Sequence, residues 1–532
     1  MDSHLPGRTR YGAQGMIATS SSESAAAGAK VLLEGGNAFD ATVAAALVEG
    51  LTLPSSCGLG GDAFAVVYDA KSKRVYGIGG SGAAPLASTP ERYRAEGYAT
   101  VPDTGWRAVT VPGEADALWT LHQRFGSKPW DSLVEPAIRC AEEGIAMSDR
   151  RYEQVRDGRE RFGAAKPGRV FMPDAPGLGQ VWRRPDYGWT LRQLAEGGAD
   201  AFYRGDVAAE LVRCSEKDGW ILTLEDLAAQ RTDIYEPIHT DYRATTVWQT
   251  RPPSQGFVLL ETLNLLEGFS VTRRDAARAH LMVEALKLAY ADRLRYSGDP
   301  RVVDFSLDGL ISKDFATRRR EAIDPNHAAA SAPGGEPSLL GQDTTSFCVA
   351  DREGNMMSYI HSLFNLFGSG VEAGRTGLVL NNRGKGFSLE PDSPNLLAGG
   401  KRSMHTLNAY LITRDGEPWL VGNTPGGDMQ VQWNTQVISD LVDLRMGLQE
   451  AIEAPRWHVS PGTDPALVGT PFQVTAGPRF GAAFVDELRA RGHQVVEGAA
   501  WSGGAVQLVS REPSGVLTGG SDPRLSGVAL GI

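Results

Sequence analysis

The chain has 532 residues, 42% apolar and 22% charged, an ordinary balance for a globular protein and one that argues against disorder over its length. Its 53 Lys and Arg against 64 Asp and Glu leave a net charge of −11 with no basic block, so nucleic acid and anionic membrane are poor partners. The four cysteines, Cys57, Cys140, Cys214 and Cys348, form no CxxC pair, which speaks against a disulfide framework and a zinc site. No run approaches about 18 apolar residues, and the first residues hold no apolar signal segment, so the expected location is the cytoplasm.

In chain order, Glu23 to Glu34 reads as a helix capped by Ser21 or Ser22 and stopped by Gly35-Gly36. Asn37 caps a second, Ala-rich helix through about Leu51, which Pro54 closes. Residues 64–68 and 74–78 alternate as a hairpin. Residues 110–300 look mostly helical, and His280 to Tyr290 has helical spacing of its apolar positions. Pro325 to Asp343 is rich in Ala, Pro, Gly and Ser and reads as a linker. It ends at Thr344-Thr345, where the pattern changes. Thr344–Ala350, a turn at 351–354 and Asn355–Phe364 read as a hairpin. Further strands are expected at Gly377–Leu380, Asn408–Thr413 and Trp419–Gly422. A helix from about Gln430 to Leu444 follows the turn Pro425-Gly426-Gly427-Asp428, with Asp428 as its cap. Strands and helices in these groups suggest a layered α/β sandwich.

A threonine pair before a strand is by itself a weak signal, because threonine favours strands. Cleavage before Thr344 would place a hydroxyl nucleophile and a free α-amine on one residue. The amine can then serve as general base for the hydroxyl, a complete acyl-transfer device.

Taken with Thr344-Thr345, further motifs make a specific set. They are Gly35-Gly36-Asn37-Ala38-Phe39-Asp40-Ala41, Gly58-Leu59-Gly60-Gly61-Asp62, Val111-Pro112-Gly113 and Pro252-Pro253-Ser254. To these add 288–293 (LAYADR), Leu380-Asn381-Asn382, Pro425-Gly426-Gly427 and Ser521-Asp522-Pro523-Arg524. The chain resembles the γ-glutamyltransferase family of N-terminal-nucleophile hydrolases almost end to end. The resemblance implies a four-layer αββα sandwich and self-cleavage between Asp343 and Thr344. The products would be a large fragment 1–343 and a small fragment 344–532 that stay together as one αβ unit, with (αβ)2 pairing compatible. It implies Thr344 as nucleophile, Ser362 beside it, and the Gly426 and Gly427 backbone N–H groups as the oxyanion hole. No cofactor and no metal are expected, and the partner is a small-molecule amide.

The departures bear on the substrate. In the family's transferases an arginine after an Ala-Pro pair holds the substrate's α-carboxylate. Here Ala84-Pro85 is followed by Pro90 at that position and Arg92 two residues on. The positions that supply ammonium acceptors read Phe364 and Gly386, and a Ser-Ser pair reads His405-Thr406. The local donors are Arg383, Lys385, Arg402 and His405, with Asn382 beside them. A zwitterionic glutamyl group is therefore disfavoured, and the expected substrate-binding residues are His405, Thr406, Arg383 and Asn382. The expected function is an amidohydrolase of a small carboxylate-bearing amide, with oxamate as best match and purine or ureide nitrogen catabolism as setting. The alternatives are γ-glutamyl transfer or glutathione hydrolysis, a glutaryl- or cephalosporin-acylase-like amidase, and an uncleaved binding protein.

Overall fold

A computed structural model of the protein describes residues 7–165, 171–330, 343–461 and 470–532. Two seven-stranded antiparallel sheets lie face to face. The first runs Val528–Gly531, Gly15–Thr19, Asp343–Asp351, Met356–Phe364, Asp62–Asp69, Arg74–Gly80, Asp233–Tyr235. The second runs Arg10–Gly12, Leu517–Ser521, Gln507–Arg511, Glu417–Asn423, Tyr410–Arg414, Thr245–Gln249, Ile238–Tyr242.

Strand alternation sorts the core into three layers of packing. Cys348, Ala350 and Ile360 of the first sheet meet Leu411, Val421 and Val509 of the second between the sheets. The opposite face of the same hairpin, Phe347, Val349 and Tyr359, packs on helices Ser22–Leu33 and Ala38–Thr52. Helices Gly256–Leu266, Ala276–Tyr296 and Met429–Val442 cover the outside of the second sheet. This is the αββα sandwich expected from the resemblance.

The local signals explain the ends of the first helices. Ser21 accepts from the Ser24 N–H, and Asn37 forms a capping box with Asp40. Both hairpins appear, as Asp62–Asp69 with Arg74–Gly80 and Asp343–Asp351 with Met356–Phe364. Three expectations need correction. Gly377–Leu380 forms no strand, only a bridge from Val379 to Glu372, because Gly374 and Gly377 take left-handed φ of 57° and 64° and turn the chain. Asp428 stands at the helix N-cap but makes no side-chain cap bond. Its carboxylate faces Arg293 instead, 2.5 Å from Nη1. The helical reading of 110–300 also missed the strands between Asp233 and Gln249. Among the described residues no helix is long and apolar enough to cross a membrane.

Candidate active site

Thr344 lies at the first turn-in of its strand, where the pairing with Met356–Phe364 slips between Asp343 and Thr345. Such a bulge re-aims a side chain at the rim of a sheet. The Thr344 hydroxyl donates to Ser362 Oγ at 3.0 Å, and the Phe364 N–H donates to the same oxygen at 2.8 Å. Ser362 is fully buried and Thr344 is 6% exposed. The Asp343–Thr344 bond lies within the described residues, while the linker residues 331–342 lie outside them.

The strand next to Ser362 brings in a residue that the sequence left without a role. Asp62, last of the Gly58-Leu59-Gly60-Gly61-Asp62 motif, is the cross-strand partner of Ser362. Gly61 is required there, since a Cβ would stand 2.4 Å from the Ser362 carbonyl oxygen. The Asp62 carboxylate accepts from the Gly82 N–H at 3.0 Å, faces His405 Nε2 at 3.1 Å and lies 3.5 Å from Arg383 Nε. Burial, with Arg383 beside it, pushes His405 down to about 4, so its ring is neutral at pH 7. Its Nδ1 and the Thr406 hydroxyl have no hydrogen-bond partner among the described residues.

The Pro425-Gly426-Gly427 turn joins strand Glu417–Asn423 to helix Met429–Val442. Gly426 and Gly427 have φ of 132° and 58°, and a Cβ on Gly426 would strike the Trp433 ring at 2.2 Å. Both glycines are buried, and neither N–H donates to a protein acceptor among the described residues. Buried backbone N–H groups are nearly always paired, so two neighbours left over are notable. Gln255, also unforeseen, ties this turn to the His405-Thr406 segment. Its Nε2 donates to the Thr406 carbonyl at 2.7 Å and to the Gly427 carbonyl at 3.1 Å. Arg293 Nη1 holds the other end of the Gln255 amide at 2.7 Å.

Contacts thus link Thr344, Ser362, His405, Thr406, Arg383 and the glycine turn in one region. Asn382 is close by, but both ends of its amide are engaged: Nδ2 donates to Asp103, and Oδ1 accepts from the Asn365 N–H at 3.1 Å. Lys385 is paired with Asp103 at 2.8 Å and Arg402 with Asp233 at 2.5 Å. Arg92 lies on an outer helix, against Glu96 and the Trp220 ring. Behind the hairpin, on its helix-facing side, His361 Nδ1 meets Glu114 Oε1 at 2.6 Å and Nε2 meets Glu49 Oε2 at 3.0 Å. All three are buried, and nothing in their sequence spacing announces them.

Elsewhere, in the outer helix layer, ligand atoms of His280, Glu284 and His493 come within 4.8 Å of one another. That carboxylate is already engaged, by Lys287 at 2.7 Å and by the Ala329 N–H at 3.1 Å, so the cluster carries its own cation.

The chain is similar to known proteins over nearly its whole length. The family model for gamma-glutamyltranspeptidase matches residues 24–532. The glutathione hydrolase-like YwrD proenzyme of Bacillus subtilis (strain 168) is 34% identical over 516 residues, 95% of this chain and 96% of that protein. The oxamate amidohydrolase proenzyme of Klebsiella pneumoniae is 33% identical over 520 residues, 94% of this chain and 95% of that protein. The crystal structure of cephalosporin acylase from Bacillus halodurans superposes with a TM-score of 0.93 at 35% identity, covering 100% of this chain and 98% of that one. The chain belongs to the gamma-glutamyltranspeptidase family.

Proposed function

We propose that this chain is a self-processing amide hydrolase whose nucleophile, Thr344, is released by cleavage of the Asp343–Thr344 bond. The observation that carries the reading is the Thr344 hydroxyl on Ser362 at 3.0 Å, with the Gly426 and Gly427 N–H pair uncommitted in the same region. In the precursor the Thr344 hydroxyl attacks the Asp343 carbonyl carbon, the acyl group moves from nitrogen to oxygen, and water hydrolyses the ester. The new α-amine then accepts the hydroxyl proton as Thr344 Oγ1 attacks a substrate amide. The glycine N–H pair stabilises the oxyanion, the α-ammonium passes its proton to the substrate's amide nitrogen, which leaves as the amine, and water hydrolyses the acyl-enzyme ester to release the acid and free Thr344.

We further propose a small carboxylate-bearing amide as substrate, with oxamate, cleaved to oxalate and ammonia, as the best match. Phe364 and Gly386 offer no side-chain acceptor for a substrate ammonium, and both are buried. Leaving an ammonium unpaired in a closed site costs several kcal/mol. A relative named for oxamate hydrolysis supports this choice. Relatives named glutathione hydrolase support the second reading, γ-glutamyl hydrolysis or transfer.

A paired assay separates the two. Ammonia release from oxamate, unaffected by a dipeptide acceptor, is the expected result. Release from a γ-glutamyl anilide that a dipeptide accelerates, without oxamate turnover, would refute the substrate assignment. An uncleaved, inactive wild-type chain would favour a binding protein.

A further inference from the structure

Arg383 is an unusual cation. It is fully buried, yet Nε, Nη1 and Nη2 all lack a hydrogen-bond partner among the described residues. Other buried arginines are engaged: Arg456 by the Gly503 and Ile452 carbonyls and Asp522, Arg402 by Asp233 and the Arg231 carbonyl. Asp62 lies 3.5 Å from Nε, too long for an ordinary hydrogen bond. It balances the charge of Arg383 while leaving the guanidinium fork unused. Burial lowers Arg383 only to about 10, so the group stays cationic at neutral pH.

The support beneath the guanidinium is equally specific. Its Cζ sits 4.2 Å from the centroid of the Phe364 ring. Phe364 holds φ at 88°, a left-handed conformation that a bulky residue rarely adopts. Strain of this kind persists where surrounding structure enforces it, often at ligand sites. The Phe364 N–H also donates to the Ser362 oxygen that receives the Thr344 hydroxyl. Three consecutive contacts therefore run from Thr344 through Ser362 and Phe364 to Arg383.

We infer that Arg383, stacked on Phe364, receives the carboxylate of the acyl group and makes the Thr344 site selective for monoamides of short dicarboxylic acids. The planar fork matches a carboxylate through two parallel N–H···O bonds. The neutral ring of His405, on the same Asp62, adds no competing charge. This inference rests on Thr344 being the nucleophile.

The test uses the purified wild-type protein with the Arg383→Gln and Arg383→Lys variants, each first checked for its fragments. Calorimetry with oxalate, malonate and succinate, and acetamide as neutral control, reads binding directly. At least one diacid should bind the wild type, and Arg383→Gln should weaken it roughly a hundredfold or more, as expected for two charge-assisted bonds. The ratio of kcat/KM for a monoamide over a neutral anilide should fall with it. Arg383→Lys keeps the charge without the fork and should recover only part of the affinity. If Arg383→Gln does not fold, the lysine variant decides: diacid affinity equal to wild type would overturn the forked contact. Diacid binding that is absent from the wild type, or equal in the wild type and Arg383→Gln, would overturn the inference. A wild type that does not cleave at Thr344 would instead sink the nucleophile reading, with the diacid measurement still readable.

Discussion

At the scale of single residues, the glycine turn is fixed by geometry rather than by packing preference. Only glycine takes φ of 132° without penalty at position 426, and a side chain there would enter the Trp433 ring. Gly426→Ala should therefore lower kcat by about 10²–10³-fold, the usual effect of losing an oxyanion donor, with a smaller change in KM. Steady-state kinetics on the variant checks this, and an unchanged kcat would remove Gly426 from the oxyanion hole. Ser362→Ala removes the hydroxyl that accepts from Thr344 and should reduce both turnover and the rate of precursor cleavage. A time course of fragment appearance by denaturing electrophoresis reads the second effect. Of these residues, Thr344 and the glycines stand out in short motifs, whereas Ser362 was named only through the resemblance and its place on the hairpin. Asp62 was legible only as part of a glycine motif. Gln255 was hidden, since an amide that bridges two carbonyls leaves no spacing signature.

At the scale of elements, the Thr344 hairpin is held from behind by a buried charged cluster. Burial alone would lower His361, but Cys57 and Glu114 outweigh it and hold the ring well above its ordinary value. Burial also pushes the Cys57 thiol up to about 12. Burial raises Glu49 as well. A group raised in the fold stabilises it fully below its unfolded value and loses that contribution as pH rises through the folded one. For His361 the contribution is intact below about pH 6.5 and fades on the alkaline side; Glu49 acts in the same sense. Urea midpoints of the Thr344→Ala chain, which stays in one piece, should fall as pH rises above about 6.5. His361→Gln should flatten that dependence. Glu114→Ala should cost about 3 kcal/mol, because it strands a buried charge. The hairpins and first two helices were readable from caps and alternation. The strands Asp233–Tyr235, Ile238–Tyr242 and Thr245–Gln249 were not, because they are short and sit inside a long helical stretch. Their pairing is decided by the second sheet rather than by local pattern.

At the scale of the whole molecule, the two expected fragments are interleaved. Strand Asp343–Asp351 lies between Gly15–Thr19, from the large fragment, and Met356–Phe364, from its own. The second sheet likewise sets Thr245–Gln249 beside Tyr410–Arg414. Neither fragment owns a complete sheet or a complete core, so cleavage should not separate them. Size exclusion under native conditions should return one species containing both, and urea should release them. Fragments that separate without denaturant would contradict the interleaved fold. The layered architecture was legible because motifs spread over nearly the whole chain fixed it together, although no single one would have done so.

On the proposed function, Thr344 becomes the N-terminal nucleophile of this hydrolase by self-cleavage. N-terminal sequencing and intact mass of the purified wild-type protein, beside Thr344→Ala, test it most directly. The expected result is a small fragment beginning Thr344-Thr345-Ser346-Phe347, a large fragment ending at Asp343, and an uncut, inactive variant. A wild-type chain that hydrolyses amides while remaining whole, or a cut at any other bond, would contradict it.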